Sequence, residues 1–329
     1  MDGVLEALQA RRYCKVICGL GNRDLERVRR FSLLYTLAGA ELIDVALDEA
    51  VVRAARDGIR LGRELGAARE PVVMVSLGLA EDPHIGAALL DRSVCATCGG
   101  CTIEPLRLCA ERPLEARAPE CPSCLACIGQ CPIGAITLAS PFGGRRVELE
   151  RALAAGAGGV ELHVSGSPVA RIAELVASIG DLLRPEVLLS FSLGSEVTTA
   201  DLLKEQVAYA ESLGRPLVVL QTEGHPMSGG AMREKPGELA SIAVARQVLA
   251  VRSSAFVQVA GGTGEATRGL CRILGVDVHG VGFGTAARLA VSAALGEVEL
   301  DPTSPAFLAS RAASRRLVAS AVPTLGAFA

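Results

Sequence analysis

Between Cys95 and Cys131 the chain places eight of its eleven cysteines. The second half of this stretch reads Cys121-Pro122-Ser123-Cys124-Leu125-Ala126-Cys127-Ile128-Gly129-Gln130-Cys131-Pro132, a C-x2-C-x2-C-x3-C-P run that suits a [4Fe–4S] cubane. Three closely spaced thiolates can wrap three corners of a cubane in one tight loop. The fourth sits on the following turn, and Pro132 directs the chain away. The first half is Cys95-Ala96-Thr97-Cys98-Gly99-Gly100-Cys101, with Cys109 after a further seven residues and Ala110 where a proline usually follows. In two-cluster proteins the fourth cysteine of a run ligates the other cluster. That rule groups Cys95, Cys98, Cys101 and Cys131, and it groups Cys121, Cys124, Cys127 and Cys109. The expectation is two [4Fe–4S] clusters and one-electron chemistry. Two zinc sites are the rival, but zinc ribbons pair two C-x2-C knuckles across a longer spacer. Consecutive x2 steps ending in Cys-Pro do not suit them.

Other residues could do chemistry beside the clusters. After one apolar run the chain reads Val259-Ala260-Gly261-Gly262-Thr263-Gly264, and after the next Gly280-Val281-Gly282-Phe283-Gly284-Thr285. Glycine loops that open helices bring backbone N–H groups close to an anion. Gly261, Gly262, Thr263, Gly282, Gly284 and Thr285 are therefore candidates to hold FMN or another phosphate-bearing ligand, the alternative being plain tight turns. Polar residues also interrupt the apolar runs with a period of two: Glu161 and His163, Ser190 and Ser192, Gln221 and Glu223, with Asp44 and Gln258 in other runs and His225 just beyond Glu223. Strand side chains alternate faces, so one face per strand could line a shared polar cavity. Glu161, His163, Glu223 and His225 are the candidates for proton transfer there, and a hydrogen-bonded interior is the bland alternative. Of the other cysteines, Cys14 and Cys271 read as small core residues. Cys18, near the end of the first apolar run, could face the site or the core.

These residues need positioning. Eight short apolar runs alternate with helical patterns: Lys15–Gly19, Leu42–Leu47, Val72–Leu77, Gly159–Val164, Val187–Leu193, Leu217–Gln221, Ala255–Val259 and Val278–Gly282. Several intervening helices end in a glycine suited to the left-handed cap, as at Gly39, Gly66, Gly214 and Gly275. Eight strands alternating with helices predict an α/β fold, a TIM-like (β/α)8 barrel, with an open doubly wound sheet as the alternative. More than sixty residues separate the third strand from its helix near Arg146, too many for a structureless loop. The expected organisation is a first barrel part over 1–78, a ferredoxin-like 2[4Fe-4S] insert over 79–144 at the barrel's C-terminal face, and a second barrel part over 145–300. A tail over 301–329, helical near Ala306–Ala319, would cover the barrel bottom or an oligomer contact.

The bulk composition is consistent with this. Half of the residues are hydrophobic and only 3% are aromatic, with no Trp, so small branched side chains must build the core, as in parallel sheets covered on both faces. A net charge of −3 and scattered arginine pairs give no nucleic-acid footprint. The absence of a signal peptide and of any apolar run near ~20 residues leads to an expectation of a cytoplasmic protein without a transmembrane segment. In a reducing compartment, metal ligation explains the cysteines better than disulfides do.

The segments Lys15-Val-Ile-Cys-Gly19, Tyr35-Thr-Leu-Ala-Gly-Ala-Glu-Leu-Ile-Asp-Val-Ala46, Val73-Met-Val-Ser-Leu77, Glu81-Asp-Pro-His84 and Gly282-Phe-Gly-Thr-Ala-Ala-Arg288 resemble the light-dependent-period (LdpA) family, over nearly the whole chain. The resemblance implies an iron–sulfur protein of cyanobacteria and their photosynthetic relatives, a redox sensor relaying light or redox state to a circadian system. Its partners would be a redox partner or a regulatory protein. The longer gap before Cys109 departs from the ferredoxin-type run. On the residues alone, an oxidoreductase passing electrons from the clusters to a flavin or a small-molecule substrate at the barrel mouth stays open beside the sensor.

Overall fold

The computed structural model describes residues 2–19, 22–79, 87–90, 93–94, 133–139, 146–194, 198–224, 237–251 and 254–323. The eight motif cysteines lie outside these residues, as does His225.

Eight parallel strands close into a barrel. In chain order they are β1 (Tyr13–Ile17), β2 (Leu42–Val45), β3 (Val72–Gly78), β6 (Gly159–His163), β7 (Leu188–Gly194), β8 (Val218–Glu223), β9 (Phe256–Ala260) and β10 (Gly280–Phe283). Neighbours in sequence are neighbours in the barrel, and β1 closes it by pairing Tyr13 with Gly280 and Lys15 with Gly282. This is the (β/α)8 arrangement that the alternating pattern predicts, not an open sheet. The strands are short runs of Val, Leu and Ile because both faces are buried.

Helices α2 (Leu25–Ala38) and α3 (Glu49–Glu64) follow β1 and β2. Their starts are set by carboxylates that accept orphan backbone N–H groups: Asp24 from Arg27 at 3.1 Å, and Asp48 from Ala50 at 2.8 Å. Gly39 ends α2 in the left-handed conformation, φ +88°. The two helices cross at close range. A Cβ on Gly62 would stand 2.7 Å from Thr36 Cβ, and one on Gly58 would run into the Arg29 carbonyl oxygen. A Gly58→Leu variant should therefore melt well below the wild type, since overpacking of this kind costs about 1–3 kcal/mol or more. Gly3→Ala, with nothing within 4 Å of its Cβ, should melt close to it. Thermal unfolding decides, and equal Tm values for Gly58→Leu and wild type would show that the crossing is loose.

Two parts of the fold depart from expectation. The opening residues form a helix, α1 (Asp2–Gln9), whose Val4, Ala7 and Leu8 are buried. These three pack with Tyr13, Leu42, Met74, Leu188 and Val219, so α1 plugs the N-terminal end of the barrel. The tail helix, Pro305–Ser320, leaves that end to α1. It packs on the flank against α2 and the segment 285–295, with Ser310 Oγ accepting the Ala294 N–H at 3.1 Å. Segment 285–295 itself breaks into two short helices, Thr285–Ala290 and Ser292–Leu295.

Strand β3 ends at Gly78, and the next barrel helix runs Arg146–Ala154. Between them lie β4 (Ala87–Leu90) and β5 (Ile136–Ala139), an antiparallel pair in the register Ala87↔Ala139 to Leu90↔Ile136. The pair draws together the two ends of the segment that carries the cysteine runs. Among the described residues no helix is long and apolar enough to cross a membrane.

Candidate functional site

The barrel interior has two chemically different halves. Its N-terminal half is the apolar layer of Tyr13, Leu42, Met74, Leu188 and Val219 under α1. Two residues further along each strand, the same inward face carries Lys15, Asp44, Ser76, Glu161, Ser190 and Gln221, and Gln258 joins them from β9. One step higher stand His163, Ser192 and Glu223. The strand period of two dictates this: the residue after next points the same way. Apolar branched residues usually fill barrel interiors. Here the polar half lies towards the C-terminal ends of the strands, where barrel active sites are built.

Every one of these groups is withdrawn from water. Lys15 is 1% exposed, Glu161 0%, His163 3% and Glu223 4%. Burial of a charge is costly unless it is paired and hydrogen-bonded, and the pairing is dense. Lys15 Nζ is 2.9 Å from Asp44 Oδ2 and 2.5 Å from Glu161 Oε2, and donates to Gln221 Oε1 at 3.0 Å. Ser190 donates to Glu161 Oε2 at 2.9 Å, and Ser76 to Asp44 at 3.2 Å. The Gln221 amide donates at 2.8 Å both to Glu161 Oε1 and to Glu223 Oε1. Gln258 donates to Gln221 Oε1 at 2.7 Å. His163 Nε2 lies 3.3 Å from Glu161 Oε1. Gly282 makes room for this layer, because a Cβ there would stand 2.5 Å from Gln258 Nε2.

Electrostatics sort the carboxylates. Burial opposes ionisation of Glu161, but the Lys15 ammonium and His163 outweigh it and hold the carboxyl at about 2. For Asp44 burial wins, and with the neighbouring Glu161 charge it lifts the carboxyl above its ordinary value against the pull of Lys15. Burial alone would lower the Lys15 ammonium, while Asp44 and Glu161 raise it above the usual lysine value. Lys15 is thus a permanent cation clamped between carboxylates. It is no free amine nucleophile.

The structure brings together Asp44, Glu161, His163, Ser190, Ser192, Gln221, Glu223 and Gln258. Lys15, the centre of the network, is the functional candidate that sequence reasoning missed. Its signal was a lysine in an otherwise apolar strand. Of the glycine-loop residues, Gly282 stands in β10 beside Gln258 of the polar layer, and the others lie in the turns that follow β9 and β10. Gly261 and Gly262 both have φ +77°. The Thr263 hydroxyl is turned to the Gly282 carbonyl. Gly284 caps the short helix that begins at Thr285. Cys14, Cys18 and Cys271 are buried free thiols in the layer between sheet and helices. Cys18 therefore faces the helices and not the barrel interior. Burial pushes its thiol up to about 12, against a hydrogen bond from Asn22, which leaves it unreactive.

Comparison with known proteins adds to this geometry. A family model described as the Light dependent period A C-terminal domain matches residues 153–323, the second part of the barrel and the tail helix. A curated relative named Light dependent period A, from Synechococcus elongatus, is 30% identical over 274 residues, which cover 80% of this chain and 74% of the relative. Among solved structures, tryptophan synthase from Mycobacterium tuberculosis superposes with a TM-score of 0.50 at 15% identity, covering 98% of each chain. That likeness is one of fold.

Proposed function

Because the chain belongs to the light dependent period A family, we infer that it is an iron–sulfur redox protein, a cytoplasmic sensor that reports redox or light state to a regulatory protein of circadian timing. The observation that carries this reading is the run Cys121-x2-Cys124-x2-Cys127-x3-Cys131-Pro132 beside Cys95, Cys98, Cys101 and Cys109. The donor set fits: eight thiolates are what two [4Fe–4S] clusters require. A ferredoxin-like insert over 79–144 is consistent with the β4–β5 pair, which closes the cysteine-bearing segment on itself. Bound clusters would supply one-electron steps at potentials set by hydrogen bonds and solvent exposure.

The test is anaerobic purification followed by iron and sulfide counting and an ultraviolet–visible spectrum. About eight irons and eight sulfides per chain are expected. Zinc without iron would sink the reading. The sensor part has its own check: hydrogen exchange of the oxidised and dithionite-reduced protein. Different protection patterns are expected, and identical ones in both states would leave a partner nothing to read.

A second reading rests on the convergence of Glu161, His163 and Glu223 inside the barrel. It is an oxidoreductase in which these residues, with His225, move protons for a small molecule at the barrel mouth. FMN or another phosphate-bearing ligand over Gly261, Gly262, Thr263, Gly282, Gly284 and Thr285 belongs to that reading. Sharp flavin bands beside the broad cluster absorption would favour it, and their absence would remove its electron acceptor.

A further inference from the structure

Glu161, His163 and Glu223 each direct one ligand atom to a common point, and these atoms all lie within 4.8 Å of one another. The residues come from β6 and β8, and His163 and Glu223 are the last residues of their strands, on the C-terminal side of the polar layer. His163 Nε2 and Glu161 Oε1 are 3.3 Å apart. Two ligands bound to one tetrahedral ion at ~2.05 Å stand about 3.3 Å apart, so this pair already has the spacing of two ligands on one ion.

Three further observations point the same way. The carboxylates are oriented from behind. Gln221 donates to one oxygen of each, and Ser190 and Lys15 hold the other oxygen of Glu161. Metal-ligating carboxylates are characteristically held this way by outer hydrogen bonds. Ser192 is fully buried, and its hydroxyl has no hydrogen-bond partner among the described residues. It is paired to His163 on one side and Gln221 on the other, on the inward face that Ser190 also occupies. It is a further buried polar group on the face that carries His163 and Gln221. Finally, Asp44, Glu161 and Glu223 lie with Lys15 in one layer of the barrel interior that is almost without solvent exposure.

We propose that Glu161, His163 and Glu223, with Ser192 beside them, form a site for one divalent transition-metal ion inside the barrel, separate from the cysteine clusters. One imidazole and two carboxylates make a ligand set of intermediate softness, suited to Mn2+, Fe2+ or Zn2+ and too poor in oxygen for Ca2+. The site does not depend on the iron–sulfur reading, since none of its ligands is a cysteine.

The probe is Mn2+, which thiolates bind poorly, titrated into the anaerobically purified protein, whatever its iron content, and followed by electron paramagnetic resonance. One bound Mn2+ per chain is expected. Glu223→Gln and His163→Gln should each weaken binding at least tenfold, with iron and sulfide content unchanged. Added Mn2+ should raise the wild-type Tm and leave that of Glu223→Gln where it was. Wild-type protein that holds no Mn2+ at this stoichiometry, or variants that bind as tightly as wild type, would overturn the proposal. Should His163→Gln fail to fold, the milder Glu223→Asp keeps the test open, and undiminished Mn2+ binding by it together with Glu223→Gln would count against the site.

Discussion

Replacing Lys15 with methionine should lower the Tm by about 5–7 °C. The change keeps an unbranched side chain, one atom shorter, and removes the charge. Asp44 at 2.9 Å and Glu161 at 2.5 Å then face each other in the barrel interior without their shared cation. Removal of one partner of a buried ion pair typically costs about 3–5 kcal/mol, and a chain of this length loses about 1.5 °C per kcal/mol. A double variant, Lys15→Met with Glu161→Gln, should recover part of the loss, because one of the two stranded carboxylates is gone. A simple packing defect would not be repaired this way. The pH dependence separates the two causes as well. In the wild type Glu161 is held at about 2, below its unfolded value. Its contribution is therefore present above the unfolded carboxyl range, roughly pH 4.3, and is lost as the pH falls through about 2. Without Lys15 the folded-state values of Glu161 and Asp44 both rise, and protonation relieves the variant. The Tm gap between variant and wild type should thus narrow from pH 7 to pH 5. Thermal unfolding across that range measures it, and a constant gap would mean that lost packing dominates.

Why Lys15 escaped a reading of the sequence is instructive, because its partners did not. Glu161-x-His163, Ser190-x-Ser192 and Gln221-x-Glu223 each repeat at the strand period, so two polar residues mark the same face. Lys15 has no polar neighbour at that spacing, since Tyr13 and Ile17 flank it on the inward side. By apolar content the run begins at Lys15, where a lysine reads as a strand end reaching water. The strand begins at Tyr13, which moves Lys15 to its middle. The eight barrel strands were legible because burial on both faces demands apolar, branched side chains at most of their positions. Helix α1 was not, because eight residues with Val4, Ala7 and Leu8 buried carry a stripe too short to stand out from the surrounding charges. The β4–β5 pair was hidden for another reason. Four-residue strands take their partner from across the whole cysteine-bearing segment, and no local signal records that distance.

The polar half of the barrel also bears on what the barrel is for. A scaffold that only displayed clusters would be more stable with an apolar interior, since replacing buried ion pairs by well-packed hydrophobic groups is often neutral or stabilising. This chain instead keeps Lys15, Asp44, Glu161, His163, Gln221, Glu223 and Gln258 inside, all at the end where barrel active sites lie. Retention of so costly a layer argues that the barrel binds something there. A metal ion held by Glu161, His163 and Glu223 answers that requirement with groups already in position.

If the chain holds the two proposed clusters, their wiring can be read from iron counts. If Cys131 crosses over to complete the cluster of Cys95, Cys98 and Cys101, then Cys95→Ala and Cys131→Ala damage the same cluster. Each single variant should retain about four of about eight irons, and so should the double variant, because the second lesion falls on a cluster already lost. If Cys131 instead serves its own run, the two lesions strike different clusters and the double variant should retain almost no iron. Cys109 gives the mirror image: paired with Cys124→Ala it should also leave about four irons. Iron and sulfide counts on anaerobically purified variants read both pairs directly. The late position of Cys109, separated from Cys101 by seven residues and followed by Ala110, is where this wiring is most exposed to failure. A Cys109→Ala variant that kept all its iron would show that another group completes the second cluster. A double variant of Cys95 and Cys131 stripped of iron would show that the crossover does not occur in this chain. The distinction matters for a sensor: crossed ligands tie the two clusters into one folded unit, so that a change at either is felt by both.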